Sequence, residues 1–491
     1  MVPKGFVPPI LLSTYMAAIN AARSFINELW DASIVPTLAK YIAIPNLSPH
    51  YDPEWATNGH QERAMALLVD WVSQHKPAAA TYELFSENGR TPFLAIDVPP
   101  TTAGKGGHVL MYGHMDKQPP MLPWAEGLGP CIPVIRDGKL YGRGGADDGY
   151  AVFAAIASVL ALQRQNVAHG HITIVIEACE ESGSTDLPYW IEKTKDRYGP
   201  VDLVVCLDSG AAAYDRMWLT DSLRGVCSVK LTVQTTKESI HSGLGGGVVP
   251  DPLRIVRILL NRIEDTDTGD IKLPSLNVRI PETVAANLVP FRAVPHGEFM
   301  KQFPFLDGVR APSNDHVDLM LRTSWKPSMT VIGYDGAPET AKGGNVIRTD
   351  TSVKISIRLP PTAVADDVRR EVQEVLERDP PCNARVAVEV SPVMAGWCAP
   401  PLEKWLHDAA TEASKEEFNG NTFGAYGIGG SIPFMAMLGR MFPQAQFVVT
   451  GVLGPESNAH GPNEFLHIDF GKGITRCVST IVRRHCEARS K

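Results

Sequence analysis

Short, nearly continuous apolar runs alternate with amphipathic segments along the first two hundred residues of this chain. The short runs predict strands covered on both faces, because only such strands are apolar on both sides. The amphipathic segments carry apolar residues three and four positions apart, the spacing of a helix with one buried face. Strands are predicted at 108–112, 171–177 and 201–208, and helices at 16–41, 60–74 and 145–162. This alternation predicts an α/β fold with a central, mostly parallel sheet.

The pattern changes near residue 225, where strands with one polar face begin. Asp251 and Pro252 open one of two amphipathic helices, with the aspartate as the cap and the proline in the first turn. The strands are predicted at 226–235, 351–359 and 384–390, and the helices at 251–263 and 365–378. Two helices on one face of a small sheet predict an α+β insert of the ferredoxin-like type. The Pro-rich stretch from about 274 to 345 has no clear period and predicts no element.

Patterns of the first kind return after residue 397. They predict a helix at 401–413, a strand at 446–452 and a helix at 469–486. A polar motif then follows the strand, as similar motifs follow the strands before the insert. The simplest organisation is one discontinuous domain, 1–224 and 397–491, interrupted by a separate domain at 225–396.

Composition narrows the class of protein. The chain has 491 residues, 20% of them charged, and a net charge of −8, so it is expected to be a soluble globular protein without a nucleic-acid partner. Its eight cysteines are scattered without C-x-x-C spacing, which favours a reducing cytoplasm over a disulfide framework. The early apolar run at 7–12 lacks the features of a signal peptide, and no apolar run is expected to span a membrane.

Polar motifs stand at the points where the predicted strands end. Such residues meet at one edge of a parallel sheet, where folds of this kind place their sites. The motifs contribute two histidines and four carboxylates: His114, Asp147, Glu180, Glu181, Asp208 and His460. Nitrogen and oxygen ligands without cysteine suit Zn²⁺ or a similar divalent ion. The set therefore indicates a two-metal hydrolase that acts on an amide bond.

Most of these motifs, taken alone, also have a purely structural explanation. Asp147 and Asp148 either include a carboxylate that bridges two ions or cap the helix that begins there. Glu180 and Glu181 are either a ligand beside a general base or a solvated pair. Asp208 has the alternative of a turn-forming aspartate.

The two histidine motifs have alternatives of the same kind. His114 and Asp116 form either a metal ligand with the carboxylate that orients its ring, or a polar surface turn. His460 is either a ligand or an exposed loop residue.

The order of the motifs resembles that of the M20 metallopeptidase family, and the resemblance extends through the insert. The shared stretches are H-x-D, G-R-G-x-x-D-D, E-E-S-G-S, D-S-G and H-G-x-N-E. The resemblance implies two Zn²⁺ ions per subunit, which Mn²⁺ or Co²⁺ could replace. The ligands it implies are His114 and Asp208 for one ion, Glu181 and His460 for the other, and Asp147 as the bridge. It also implies that Glu180 is the general base for a metal-bound hydroxide and that Asp116 orients His114.

The resemblance identifies the insert as the family's lid and dimerisation domain, which implies a homodimer. His241 is then expected to reach the partner subunit's active site and stabilise the oxyanion; otherwise it is a loop residue beside a glycine-rich turn. Arg358 and Asn345 resemble substrate-binding positions, with Arg358 on the substrate's carboxylate. Gly430 and Ser431 either bind a carboxylate at a helix N-terminus or form an ordinary helix-start turn.

One position departs from the family pattern. Gly149 and Tyr150 stand where many members have Lys-Gly after the aspartate pair. Both ligand carboxylates remain, so the departure bears on the shape of the loop and on substrate preference.

Three hypotheses for function follow. The first is a cytosolic di-zinc dipeptidase that resembles the carnosinase and cysteinylglycine-dipeptidase branch. The second keeps the metals but takes N-acyl amino acids, as deacetylases and desuccinylases of the family do. The third is a non-catalytic binding protein on the same fold, which the complete ligand set argues against. No membrane partner is expected in any of the three.

Overall fold

The structure of the chain is a computed structural model that describes residues 20–291, 300, 303, 305–430, 432 and 434–490. Its main sheet has six strands. Their order across the sheet is Thr81–Phe85, Phe93–Val98, His171–Glu177, His108–His114, Leu203–Cys206 and Gln446–Val449. The last four run parallel, and the first two join antiparallel at one edge. The predicted α/β class is confirmed.

Alternate side chains of the main sheet enter two separate apolar cores. Val109 and Leu203 face one core, whereas Leu110 and Val204 face the other. All four are fully buried, because helices cover both faces of the sheet. On the Val109 face lie Val35–Ile42, His60–His75, Ala151–Arg164, Lys404–Glu417 and Ile468–Arg489, and on the other face Leu187–Lys193 and Met435–Met441.

One core helix is long and apolar enough to cross a membrane. The segment Gly145–Arg164 has 20 residues. Its first part, Gly145–Gly149, contains Asp147 and Asp148 and precedes the apolar run itself. Because 94% of its most apolar window is buried inside the protein, this helix packs beneath the main sheet.

Residues 225–390 contain a second sheet of four antiparallel strands. Its order is Ser328–Asp335, Asp350–Leu359, Gly225–Gln234 and Arg385–Val390. The helices Pro252–Ile263 and Ala365–Glu377 pack their apolar sides on one face. The carboxylate of Asp251 accepts a hydrogen bond from the Leu253 amide at 2.7 Å, so the predicted cap is confirmed. The chain order β-α-β-β-α-β is that of the ferredoxin-like arrangement.

The described part of the stretch for which the sequence predicts no element contains a strand and two α-helices. They are the strand Ser328–Asp335 and the helices Glu282–Phe291 and His316–Ser324. This strand lies at the edge of the sheet, and none of its residues is fully buried. It therefore lacks the alternation of buried and exposed residues that marks its neighbours. Leu288 and Met320, one from each helix, are buried in the main core rather than beneath the small sheet. The predicted three-stranded insert is therefore corrected to a four-stranded sheet with two further helices.

A third sheet connects the chain on the two sides of the insert. Trp218–Leu223 pairs antiparallel with Trp397–Cys398 and parallel with Gly424–Ile428, and His316–Ser324 packs against the last of these. The other strands among the described residues are Val134–Arg136, Lys139–Tyr141 and Phe465–His467 in one small sheet, and Ile240–His241 and Val346–Ile347 in another. The domain boundaries at 224/225 and 396/397 stay a prediction.

Candidate metal centre

The predicted ligands lie at the carboxyl edge of the main sheet. His114 is the last residue of its strand, and Asp208 follows the end of the neighbouring strand by two positions. Glu180 and Glu181 form a short turn directly after the strand that ends at Glu177. Parallel strands bring these ends together, so residues far apart in sequence become neighbours.

One group of ligand atoms forms around His114. Its Nε2 lies 3.5 Å from Asp147 Oδ1 and 3.8 Å from Asp208 Oδ1. The ring is buried, and its Nε2 makes no hydrogen bond within the described residues. A buried ring nitrogen that faces two carboxylates without a hydrogen bond is a free ligand for a cation.

A second group forms around His460, whose loop has left-handed backbone at this residue (φ 63°). Its Nε2 lies 3.0 Å from Asp147 Oδ2 and 3.4 Å from Glu181 Oε2. The other oxygen of Glu181, Oε1, is buried and has no hydrogen-bond partner within the described chain. Gln118, which the sequence analysis does not single out, donates to Glu181 Oε2 at 2.6 Å.

The two groups share Asp147, which turns one carboxylate oxygen toward each histidine. In each group the ligand atoms lie within 4.8 Å of one another. The donors are imidazole nitrogens and carboxylate oxygens, which suit Zn²⁺ and similar divalent ions. The residues present therefore fit two cations with a bridging carboxylate. Glu180 stands in a further group with His114 and Glu181.

Crowded negative charge governs the electrostatics of the centre. Burial raises the pKa of Glu180 well above its ordinary value, and the nearby charge of Asp208 raises it further. Burial likewise raises the pKa of Asp208 and of Glu181. Burial opposes the ionised form of Asp147 too, but the close rings of His114 and His460 outweigh it and hold the pKa low. Carboxylates packed this closely need cations near them.

Asp116 supports both parts of the centre from beneath. Its Oδ1 lies 3.3 Å from His114 Nδ1, the ring nitrogen opposite the ligand atom. Its two oxygens also accept hydrogen bonds from the amides of Glu180 and Glu181, at 3.1 and 3.0 Å. A fully buried carboxylate thus fixes the ring of one ligand and the backbone of the glutamate pair.

The second aspartate of the pair does not cap a helix. Asp148 Oδ2 accepts a hydrogen bond from the His114 amide at 3.2 Å, and the helix after it begins at Ala151 with no side-chain cap. The capping alternative is therefore wrong, because Asp148 turns toward the strand end. At the position that departs from the family, Tyr150 is buried and donates to the Leu207 carbonyl at 2.5 Å.

A buried ion pair that the sequence analysis overlooks joins the two loops of the centre. Arg143 Nη1 lies 2.6 Å from Glu464 Oε2, and Arg143 Nη2 donates to the Gly461 carbonyl at 2.7 Å. Glu464 Oε1 accepts from the Gly144 amide at 2.9 Å. Both residues stand in the quoted motifs, so a signal was present, but the partner of each is visible only in the fold.

A cavity of about 630 Å³ opens over the ligand groups. Arg358, on a strand of the small sheet, lines it together with Gly430. Burial lowers the pKa of Arg358. The helix that follows Gly430 begins only at Met435, so the expectation of a helix N-terminus at Gly430 is wrong. Ser431 lies outside the described residues.

Two predicted residues do not line this cavity in the same chain. His241 is exposed, and its Nδ1 accepts a hydrogen bond from the Gly243 amide at 3.1 Å. Asn345 lies beside it and is also exposed, with its carbonyl accepting from the Ser242 amide at 2.9 Å. The two therefore form one exposed surface feature on the small domain.

The α/β fold and the paired histidine–carboxylate groups are those of a metal-dependent hydrolase. The chain belongs to peptidase family M20/M25/M40, whose family model matches residues 110–484. It is thus a metal-dependent peptidase, as the resemblance implies.

Similar proteins carry dipeptidase names. The chain is 27% identical to a cysteinylglycine-S-conjugate dipeptidase of Corynebacterium striatum, over 86% of this chain and 89% of the relative. It is 26% identical to the human Beta-Ala-His dipeptidase, over 77% and 75% of the two chains. The solved structure of the di-peptidase Dug1p from Saccharomyces cerevisiae has the same fold, with a TM-score of 0.78, 22% identity, and coverage of 96% and 98%.

Proposed function

We propose that this protein is a di-zinc dipeptidase that cleaves the amide bond of small peptides. The observation that carries the proposal is the position of the Asp147 carboxylate. One of its oxygens faces the His114 group, and the other faces the His460 group. Relatives named as dipeptidases across most of the chain support the choice of substrate class. Mn²⁺ or Co²⁺ could take the place of zinc.

The ligand sets of the two ions follow from the two groups. His114 and Asp208 would hold one ion, Glu181 and His460 the other, and Asp147 would bridge them. When bound, such ions polarise a substrate carbonyl and lower the pKa of water to about 7. Asp116 keeps the ring of His114 in the orientation that ligation needs.

Glu180 is the general base in this proposal. Its carboxylate lies within 4.8 Å of ligand atoms of His114 and Glu181, and it lines the cavity where the scissile bond would lie. Burial and the charge of Asp208 raise its proton affinity, which suits a carboxylate that takes a proton and later gives it away. It removes a proton from the attacking water and delivers it to the nitrogen of the leaving amine.

Arg358 binds the substrate carboxylate. Its side chain lines the same cavity as Glu180, and a guanidinium can bind a carboxylate through two parallel hydrogen bonds. Gly430 lies on the same cavity wall. This arrangement fixes one end of a short peptide and leaves its amide near the ligand groups.

A homodimer through the small domain completes the site in this proposal. His241 and Asn345 are exposed and stand outside the cavity of their own chain, so a partner subunit is where they could act. The edge strand Ser328–Asp335 supports an interface, because it presents unpaired backbone and exposed Val331, Ile332 and Tyr334. The small domain then serves as both lid and dimer contact, and His241 stabilises the oxyanion in the partner's site.

We also propose a cytoplasmic location. All eight cysteines are free thiols, and two of them, Cys382 and Cys398, are exposed. Free exposed thiols suit a reducing compartment.

Hydrolysis of a matched panel after Zn²⁺ or Mn²⁺ loading tests the function. Free Cys-Gly and β-Ala-His are compared with the same dipeptides carrying an N-acetyl group, and with N-acetyl and N-succinyl amino acids. We expect cleavage of free dipeptides alone, lost with chelator and restored by the metal. Cleavage of acylated amino acids alone would favour the deacylase hypothesis over the dipeptidase proposal. Failure to cleave any compound with two ions bound would contradict both.

A further inference from the structure

A second cavity, of about 510 Å³, lies behind the strand Trp218–Leu223. None of the residues that line it also lines the cavity over the ligand groups. Its walls come from that strand, from the helix Glu282–Phe291, and from the segment at 398–402. Its size is that of a small-molecule site, and it is lined mainly by apolar residues with a few polar groups.

One of these polar groups is the carboxylate of Asp221. Asn287 donates to its Oδ2 at 2.5 Å, and the Ser222 hydroxyl donates to its Oδ1 at 3.1 Å. Both partners are neutral, and within the described part of the chain no lysine, arginine or histidine forms an ion pair with Asp221. Burial raises the pKa of this carboxyl, the expected effect on a carboxylate without a counter-ion.

The indole of Trp325 lies behind the cavity wall. Its side chain is buried and Nε1 is closed to solvent, so a ligand in the cavity does not reach the N–H. The charged group that the wall presents without a counter-ion is therefore the carboxylate of Asp221.

The remaining walls are aromatic and aliphatic. Phe423 and Phe447 line the cavity beside Trp325, and aromatic faces attract organic cations as well as apolar groups. The exposed Cys398 also lines the cavity, so the cavity is open to solvent on that side.

We propose that this second cavity binds a small aromatic amine. The ammonium group pairs with Asp221, and the ring packs on Phe423 and Phe447. Opposite charge selects this chemistry over a neutral or anionic ligand. The site is separate from peptide hydrolysis and does not depend on the proposed substrate.

Titration calorimetry with tyramine tests the proposal, with the metal-loaded full chain. Tyrosol replaces the ammonium of tyramine by a hydroxyl, and 4-hydroxyphenylpropionate replaces it by a carboxylate. We expect saturable binding of tyramine, at least tenfold weaker binding of tyrosol, and no binding of the anion. Equal affinities for tyramine and tyrosol would overturn the proposal, as would the absence of tyramine binding.

Variants locate the bound amine. Asp221→Asn keeps the shape of the side chain and removes its charge, so tyramine affinity should fall at least tenfold while dipeptide hydrolysis is retained. Trp325→Phe removes a donor that the ligand does not reach, so binding should be retained. Cys398→Trp narrows the opening and provides a test if the Asp221 variant does not fold. Tyramine that binds the Asp221 and Cys398 variants as tightly as it binds the natural chain is bound elsewhere, and the proposal is then wrong.

Discussion

Arg143 and Glu464 form a buried ion pair, with Nη1 and Oε2 2.6 Å apart, between the two loops that present the ligands. Arg143 precedes Asp147 in one loop, and Glu464 follows His460 in the other. The pair therefore joins the loops of ligands that come from opposite sides of the insert.

Glu464→Gln should destabilise the protein and weaken metal binding at the His460 group. The variant leaves the Arg143 guanidinium buried without a counter-charge, which costs about 3 to 5 kcal/mol when one partner of a buried pair is removed. Urea unfolding measures the free energy, and calorimetric titration with Zn²⁺ measures the affinity. Glu456→Gln, on a partly exposed glutamate of the same loop, is the matched control and should change stability by less than about 0.5 kcal/mol. Equal stabilities of the two variants would show that the ion pair is not needed.

Glu180→Gln should abolish turnover and leave both ions bound. The amide keeps the size of the side chain but cannot take up a proton, so kcat should fall by a factor of about 10² to 10⁴. Metal content is measured on the same sample by mass spectrometry. Glu181→Gln is the comparison, because loss of a ligand should lower the metal content as well. Substantial kcat in the Glu180 variant would remove this residue from the role of base.

His241→Asn should lower kcat in a homodimer in which each histidine serves the partner's site. Mixing this variant with Glu180→Gln then gives a direct test. In a mixed dimer, one of the two sites combines an intact Glu180 with an intact His241 of the other subunit, so activity should return after subunit exchange. Light scattering checks that dimers form. Mixtures that stay as inactive as the two separate variants would argue against action between subunits.

Acid should unfold the protein in part through His108. Burial, assisted by the stacked ring of His171, lowers the pKa of His108 from 6.5 to about 4. The folded state therefore binds this proton less readily than the unfolded state. The free energy of unfolding should fall as the pH drops from about 6.5 to 4, by up to about 3 kcal/mol from this residue.

Urea unfolding across that pH range measures the effect. His108→Gln removes the titrating group and should flatten the profile between pH 6.5 and 4. His50→Asn, on an exposed histidine, should leave the slope unchanged. If His108→Gln keeps the full slope, the acid sensitivity arises from other residues.

The gathering of the predicted ligands at one edge of the main sheet could be predicted from the sequence because it follows a simple rule of sheet geometry. His114 and Asp208 stand directly after apolar runs, and parallel strands bring such ends together. Burial of both faces of the sheet is likewise visible in the sequence, because the strands carry few polar residues.

Other roles depend on contacts that no local pattern records. Asp148 looks like a helix cap in the sequence, but its carboxylate accepts a hydrogen bond from the His114 amide, at the end of a strand that is distant in sequence. The helices Glu282–Phe291 and His316–Ser324 bury Leu288 and Met320 in the core of the main domain. Short helices of this kind are stabilised mainly by packing, so the hydrophobic periodicity of their own residues is weak.

Because the site is assembled from both sides of the insert, its parts become available at different times during synthesis. A ribosome releases His114, Asp147 and Asp208 before the insert is made, whereas His460 and Glu464 follow only after it. A nascent chain that has reached only the insert therefore lacks His460 and the ligand group around it. The two ligand groups can be completed only after the insert has been made.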